Sequence, residues 1–272
     1  MLVTRVAPTP SGYLHPGNAV NILLTSWLAR SGRGRLLLRI DDFDTGRARP
    51  EYLADVFDVL AWLGVVPDDG PTSPAQFESG WAMARRTDRF RAALDALRQR
   101  HPGRVFTCRC SRRQLSADGR CVAGCPDAGL TLRPGITCVR LRVPRGVTAD
   151  LGSHRHGVPP GDHVLWRRDD LPAYQLGSVL ADVDLGVTAI VRGLDLLDSS
   201  ALQRHLAELL GEPRFASITI HHHGLVPGAG GTKLSKSAGA QAHPMPRTDQ
   251  LRAALTRTAV ALGEPLGIAP PG

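Results

Sequence analysis

The sequence predicts an α/β fold on a parallel sheet, interrupted by an insertion. Apolar runs of strand length alternate with amphipathic runs at helical spacing up to residue 64, and the same alternation resumes after about residue 164. Between them lies an insertion that holds all five cysteines, four of them between Cys108 and Cys125, with residues 126–162 rich in Pro, Gly and Arg. Strand, helix, strand, helix in that order is the signature of parallel pairing.

Residues 2–7, LVTRVA, read as a short buried strand. The loop APTPSGYLHPGNA (7–19) then leads into a helix in which Val20, Leu23, Leu24, Trp27 and Leu28 recur on one face. Asn18 is the expected N-cap and Gly32 the stop. RLLLRI (35–40) is a second strand, followed by the acidic turn DDFD and a helix over PEYLADVFDVLAWLG (50–64) that opens on proline. A further helix is expected over about 80–100, and the strand-like TCVRLRV lies within the Pro/Gly/Arg-rich stretch 126–162. After HVLWRRDD come the apolar segments GSVLADVDLG and VTAIVRG, the helix SSALQRHLAELLG, the strand FASITIHHH and one tail helix. The expected organisation is a first catalytic half (1–100), an insertion (101–163), a second half (164–247) and a tail (248–272).

The chain has 272 residues, 42% of them apolar, enough for a proper core, and a net charge of +8 that favours a polyanionic partner without identifying it. No stretch approaches the roughly 20 apolar residues that span a bilayer, and Met-Leu-Val-Thr-Arg does not open a signal segment. A cytoplasmic protein with no membrane partner is expected. In a reducing compartment, four cysteines between Cys108 and Cys125 point to a metal site rather than disulfides, leaving Cys138 over.

A glycine-containing loop between a strand and a helix presents backbone N–H groups and a positive helix end, a setting suited to phosphate; a proline-rich turn around a structural histidine is the alternative for His15. Far downstream, GGTKLSKSAG (230–239) offers two lysines that could wrap a polyphosphate, or could be solvated surface. The consecutive His221, His222 and His223 alternate faces on a strand and cannot all ligate one ion.

Together these segments resemble class I aminoacyl-tRNA synthetases, whose H-x-G-[HGS] and K-[ML]-S-K motifs read here as His15-Pro16-Gly17-Asn18 and Lys233-Leu234-Ser235-Lys236. RVAPTPSGYLH, RIDDFD, PEYLADVFDVLAWLG and IVRGLDLL resemble the glutamyl-tRNA synthetase group in order, from residue 5 to about 240. The resemblance implies a Rossmann-like catalytic domain that activates L-glutamate with ATP and Mg2+. His15, Lys233 and Lys236 would be catalytic, and Gly12, His15, Gly17, Asp195 and Lys236 would bind ATP. Arg5, Ala7, Pro8, Thr9, Asp41, Tyr174 and Arg192 would hold glutamate, with arginine forks reading its carboxylates and Asp41 facing its ammonium. Asp41 departs from the glutamate usual in the family, which leaves the amino acid open.

The chain stops soon after KLSKS, so an anticodon-binding domain is expected to be absent. That length resembles a truncated paralogue of the group, one that attaches glutamate to the queuosine base in the anticodon stem-loop of tRNA(Asp). The paralogue carries zinc in its insertion on a C-x-C, Tyr, C pattern; here Cys108, Cys110, Cys121 and Cys125 supply four thiolates, a tetrahedral set with no open position and so structural. A monomer is expected. Alternatives are an adenylating enzyme that transfers glutamate or another amino acid to a carrier protein, peptide or small molecule, and a non-catalytic tRNA-binding module.

Overall fold

A computed structural model describes residues 1–44, 46–83, 87–152, 154–226 and 243–271. The chain divides into two units, Met1–Met83 with Val187–Leu196 and Ile218–Gly272, and Ala84–Gly186 with Leu197–Ser217.

In the first unit, β1 (Val3–Val6) and β2 (Arg35–Leu38) pair in parallel, Arg5 opposite Leu37, with α1 (Pro16–Ser31) as the crossover. The expected parallel sheet is therefore present. α2 (Pro50–Leu63) has Pro50 in its first turn, buries Leu53, Val56, Val59, Leu60 and Leu63, and ends at Gly64, whose φ of 69° suits glycine. A short turn of helix, α3 (Pro74–Gln76), follows. Later in the chain β8 (Ala189–Gly193) and β9 (Thr219–His223) form a second parallel pair, and α8 (Asp249–Gly263) is the expected tail helix. The Thr188 backbone N–H donates to Val3 O at 2.8 Å and joins the start of β8 to the start of β1. α1 is buried over much of its circumference, Val20, Leu24 and Ala29 completely, because the strands and α8 both pack on it.

In the second unit, α4 (Thr87–Arg100) buries Phe90, Leu94 and Leu97, and β3 (Val105–Cys108), β4 (Cys138–Val143) and β7 (Gly161–Trp166) form an antiparallel sheet in the order β3-β4-β7. β5 (Thr148–Asp150) and β6 (Arg155–Gly157) make a small antiparallel pair. The apolar GSVLADVDLG falls in helix α5 (Tyr174–Asp184), followed by α6 (Leu197–Leu210) and the short α7 (Pro213–Ala216). Among the described residues no helix is long and apolar enough to cross a membrane.

Candidate active site and metal centre

The loop after β1 enters α1 at His15, and here the structure corrects one expectation: His15, not Asn18, is the N-cap. The His15 ring Nδ1 accepts from the Gly17 N–H at 3.1 Å, while the His15 backbone N–H donates to Asn18 Oδ1 at 3.0 Å. Residues 15 and 18 thus cap each other across the first turn. With Nδ1 accepting, the proton of the neutral ring sits on Nε2. Burial lowers the pKa of His15, against an opposing pull from the Asp195 carboxylate, so the ring is a neutral donor at the positive end of a helix. A Cβ on Gly17 would lie 2.9 Å from His15 Cε1, so glycine is what lets the ring fold back on its own helix.

The other candidates of this unit stand toward the C-terminal ends of the parallel strands, where ligands of such sheets bind. Arg5 is buried in β1, and Ala7, Pro8 and Thr9 follow it, with Gly12 buried in the loop. Past β2, the Asp41 N–H donates to Pro8 O at 2.9 Å, which holds the two strand ends side by side. Asp41 is gripped by the neighbouring Arg39, Nε to Oδ1 at 2.6 Å and Nη2 to Oδ2 at 3.0 Å, and both side chains are about 95% buried. Two residues apart on extended chain, they share a face. Arg192 is buried in β8 opposite His222 of β9, and Asp195 is exposed in the turn beyond. Asp195 Oδ1 folds back so closely that a Cβ on Gly193 would come within 2.5 Å of it. Tyr174 belongs to the second unit, partly exposed in the first turn of α5.

His223, which the sequence singles out only as part of the histidine run, also belongs to this array. Its Nδ1 donates to Gly224 O at 2.7 Å, which leaves Nε2 to accept from Asn21 Nδ2 at 3.3 Å; the same amide donates to Val191 O at 3.1 Å. Burial lowers its pKa against the pull of Gly224 O and Asp195, so it too is neutral. Asn21 thereby ties α1 to the middle of β8 and the end of β9. Arg39 and Asp55 were missed. The available signal for each was a charged residue within an otherwise apolar run. Lys233 and Lys236 lie outside the described residues.

The second unit holds the cysteines. Cys108 ends β3, Cys110 follows, Cys121 pairs with Leu115, and Cys125 opens a short helical turn. All four are buried, with their Sγ atoms within 4.8 Å of one another, Cys110 lying 3.6 Å from Cys121 and 3.8 Å from Cys125. The edge of a thiolate tetrahedron with metal–sulfur bonds of ~2.3 Å is about 3.8 Å, so the donor set fits such an ion. Burial and the crowding of the other sulfurs push the Cys110 thiol up, as burial does for Cys108. At Cys121 burial acts upward too but is outweighed by N–H groups of Cys125 and Ala123, and the net shift is down. Asp162, fully buried on β7, accepts the Cys121 N–H at 2.7 Å and both Arg142 donors at 2.8 Å, and Arg140 donates to Cys110 O at 3.2 Å. The cysteine loops are therefore held by β4 and β7 as well as by any ion. Cys138, opposite Cys108 in the sheet, donates to Cys108 O and stays outside the cluster.

One unit carries parallel strands and a glycine-bearing loop with histidine at a helix N-terminus, and the other carries a four-thiol centre. The chain belongs to the tRNA synthetase class I family, glutamate and glutamine branch, whose catalytic domain it matches over residues 1–121 and 129–267. It is 37% identical to a glutamyl-Q tRNA(Asp) synthetase of Rhodobacter capsulatus over 89% of this chain and 93% of that one. A protein of the same name from Pseudomonas aeruginosa is 39% identical over 96% of this chain and 85% of that one. Among solved structures, a glutamate tRNA ligase from Elizabethkingia meningosepticum, in complex with its amino acid, shares the fold with a TM-score of 0.69 at 23% identity over 88% of this chain. The present chain spans about half of it, 52%.

Proposed function

We propose that this protein activates L-glutamate with MgATP and transfers it to the queuosine base in the anticodon stem-loop of tRNA(Asp). The observation that carries the reading is the similarity, over 85–93% of their length, to relatives bearing that function in their names, in a chain whose phosphate loop is built around a neutral histidine. The alternative acceptors, a carrier protein, peptide or small molecule, have no such support.

In the first step a glutamate carboxylate oxygen bonds to the α-phosphorus, the bond from that phosphorus to the bridging oxygen breaks, and pyrophosphate leaves with Mg2+. Positioning and charge neutralisation lower that barrier. His15 donates through Nε2–H to the triphosphate, Gly12 and Gly17 let backbone N–H groups approach it, and Asp195 completes the nucleotide site. Lys236, with Lys233, stabilises the departing pyrophosphate. Arg5 and Arg192 take the two carboxylates of glutamate, Ala7–Thr9 line its path, Asp41 faces its ammonium, and Tyr174 is the remaining glutamate contact that the family resemblance implies. In the second step the acceptor attacks the glutamyl carbonyl and AMP leaves. Zn2+ on Cys108, Cys110, Cys121 and Cys125 would cross-link two loops of the second unit. The enzyme acts as a cytoplasmic monomer. Amino-acid-dependent ATP–pyrophosphate exchange, run with each of the twenty amino acids, tests activation; charging of tRNA(Asp) with and without queuosine tests transfer. Exchange with another amino acid alone, or equal charging of queuosine-free tRNA, refutes the respective half.

A further inference from the structure

Asp55 interrupts the apolar face of α2 between Leu53 and Val56 and is only 2% exposed. A carboxylate in that position is costly to desolvate unless both oxygens are engaged. Both are, and by partners from two distant segments. Oδ2 accepts the Leu14 N–H at 2.8 Å, and Oδ1 takes Arg247 Nη2 at 2.5 Å, while the other terminal nitrogen of Arg247 lies 3.3 Å from Asp58. Leu14 is the residue before His15, and it is itself buried. One turn earlier on α2, the Tyr52 ring meets the Tyr13 ring edge-on, with centroids 5.0 Å apart. α2 therefore holds residues 13 and 14 by two separate contacts, immediately ahead of the cap on which the phosphate loop is built. Helix formation does not ask for either: α2 starts on Pro50, stops at Gly64, and would bury its apolar face as well with an aliphatic residue at 55.

We propose that Asp55 is a positioning residue for nucleotide binding: through the Leu14 N–H it sets how the chain enters the His15 cap, and Arg247 orients its carboxylate for that task. This rests on the reading of the His15 loop as the ATP-phosphate site. The substitutions separate the two bonds. Asp55→Ala removes both, Asp55→Asn keeps an oxygen for Leu14 but turns an amide toward Arg247, and Arg247→Met removes only the cation.

The test measures MgATP dissociation constants by calorimetry on the purified full chain, well below each variant's melting temperature, together with the ring 15N shifts of His15. Asp55→Ala is expected to weaken MgATP about tenfold or more, and Arg247→Met severalfold, each with shifted His15 ring signals. The double variant Asp55→Ala/Arg247→Met is expected to bind no more weakly than Asp55→Ala, since both act through one carboxylate. A purely structural Asp55 would lower the melting temperature while leaving the dissociation constant and the His15 signals unchanged, which overturns the proposal. Should Asp55→Ala fail to fold, Asp55→Asn and Arg247→Met decide by the same readouts. A wild-type protein that binds MgATP but shows no glutamate-dependent exchange refutes the glutamate reading and leaves the Asp55 test intact; one that does not bind MgATP refutes both.

Discussion

His15→Asn separates the two roles given to one imidazole. As an N-cap, His15 accepts the Gly17 N–H through Nδ1, and asparagine is among the best residues for that position, whereas losing a cap altogether costs about 1 kcal/mol. The asparagine variant is thus expected to unfold within about 0.5 kcal/mol of wild type in urea, and His15→Ala about 1 kcal/mol lower. Asparagine does not reproduce the Nε2–H that points away from the cap. A hydrogen bond to a charged phosphate oxygen contributes about 1.5–3 kcal/mol, or about 10- to 150-fold in kcat/KM for ATP. ATP–pyrophosphate exchange should fall by that factor in both variants, although only one is destabilised. If exchange in His15→Asn stays within twofold of wild type, Nε2 has no contact with the nucleotide. If exchange instead tracks stability across the two variants, the histidine is a cap and nothing more.

The remaining predictions are as follows. Cys110→Ser is expected to copurify with far less than one zinc per chain, and chelation of the wild-type protein to lower its melting temperature; full metal retention in the serine variant, measured by elemental analysis, refutes the ligand assignment. Lys236→Ala should abolish pyrophosphate exchange with an unchanged melting temperature, and wild-type exchange would remove that lysine from the mechanism. Burial lowers the pKa of His15, His163, His205, His221 and His223 below the ordinary value of 6.5. Each then takes up its proton more readily in the unfolded chain. Stability is fully present above pH 6.5 and is lost as pH falls from there through the lowered folded values, by at most about 1.4 kcal/mol per pH unit for each ring. Urea midpoints should therefore drop between pH 7 and 5.5, and a flat or rising profile refutes the neutral-histidine reading.

What was legible in the sequence was whatever depends on near neighbours. The parallel pair, its crossover helix and the proline-opened α2 follow from periodicity and punctuation, and the four cysteines fall close enough in sequence to imply one centre. The cap was misread because intrinsic preference favours asparagine. The histidine took that place because Gly17 leaves room for its ring, and Asn18 became the reciprocal acceptor three residues on. Partners brought by distant segments were not legible: Asp162 joins the cysteine loops from β7, His223 meets Asn21 from β9, and Arg247 reaches Asp55 across 192 residues. A charge inside an apolar run says that a partner exists but not where it comes from.

Asp41 shows why a single position cannot be read apart from its neighbours. The resemblance leads one to expect glutamate there, and a shorter side chain looks like a withdrawn contact with the substrate ammonium. Arg39, however, lies on the same face two residues earlier and takes both carboxylate oxygens in a fork. A carboxylate has about four acceptor sites, and a forked guanidinium uses two, so two remain for the ammonium of the proposed substrate. A glutamate at 41 would carry its oxygens one methylene farther along the same face, and the two bonds of 2.6 and 3.0 Å would have to be remade. Asp41 and Arg39 therefore form one buried, forked ion pair, which the proposed glutamate site would use as a unit. The carboxylate is fixed by the arginine, and in the proposed glutamate site the substrate ammonium would meet an oriented carboxylate instead of a flexible one, at less cost in side-chain ordering than the longer acid would incur.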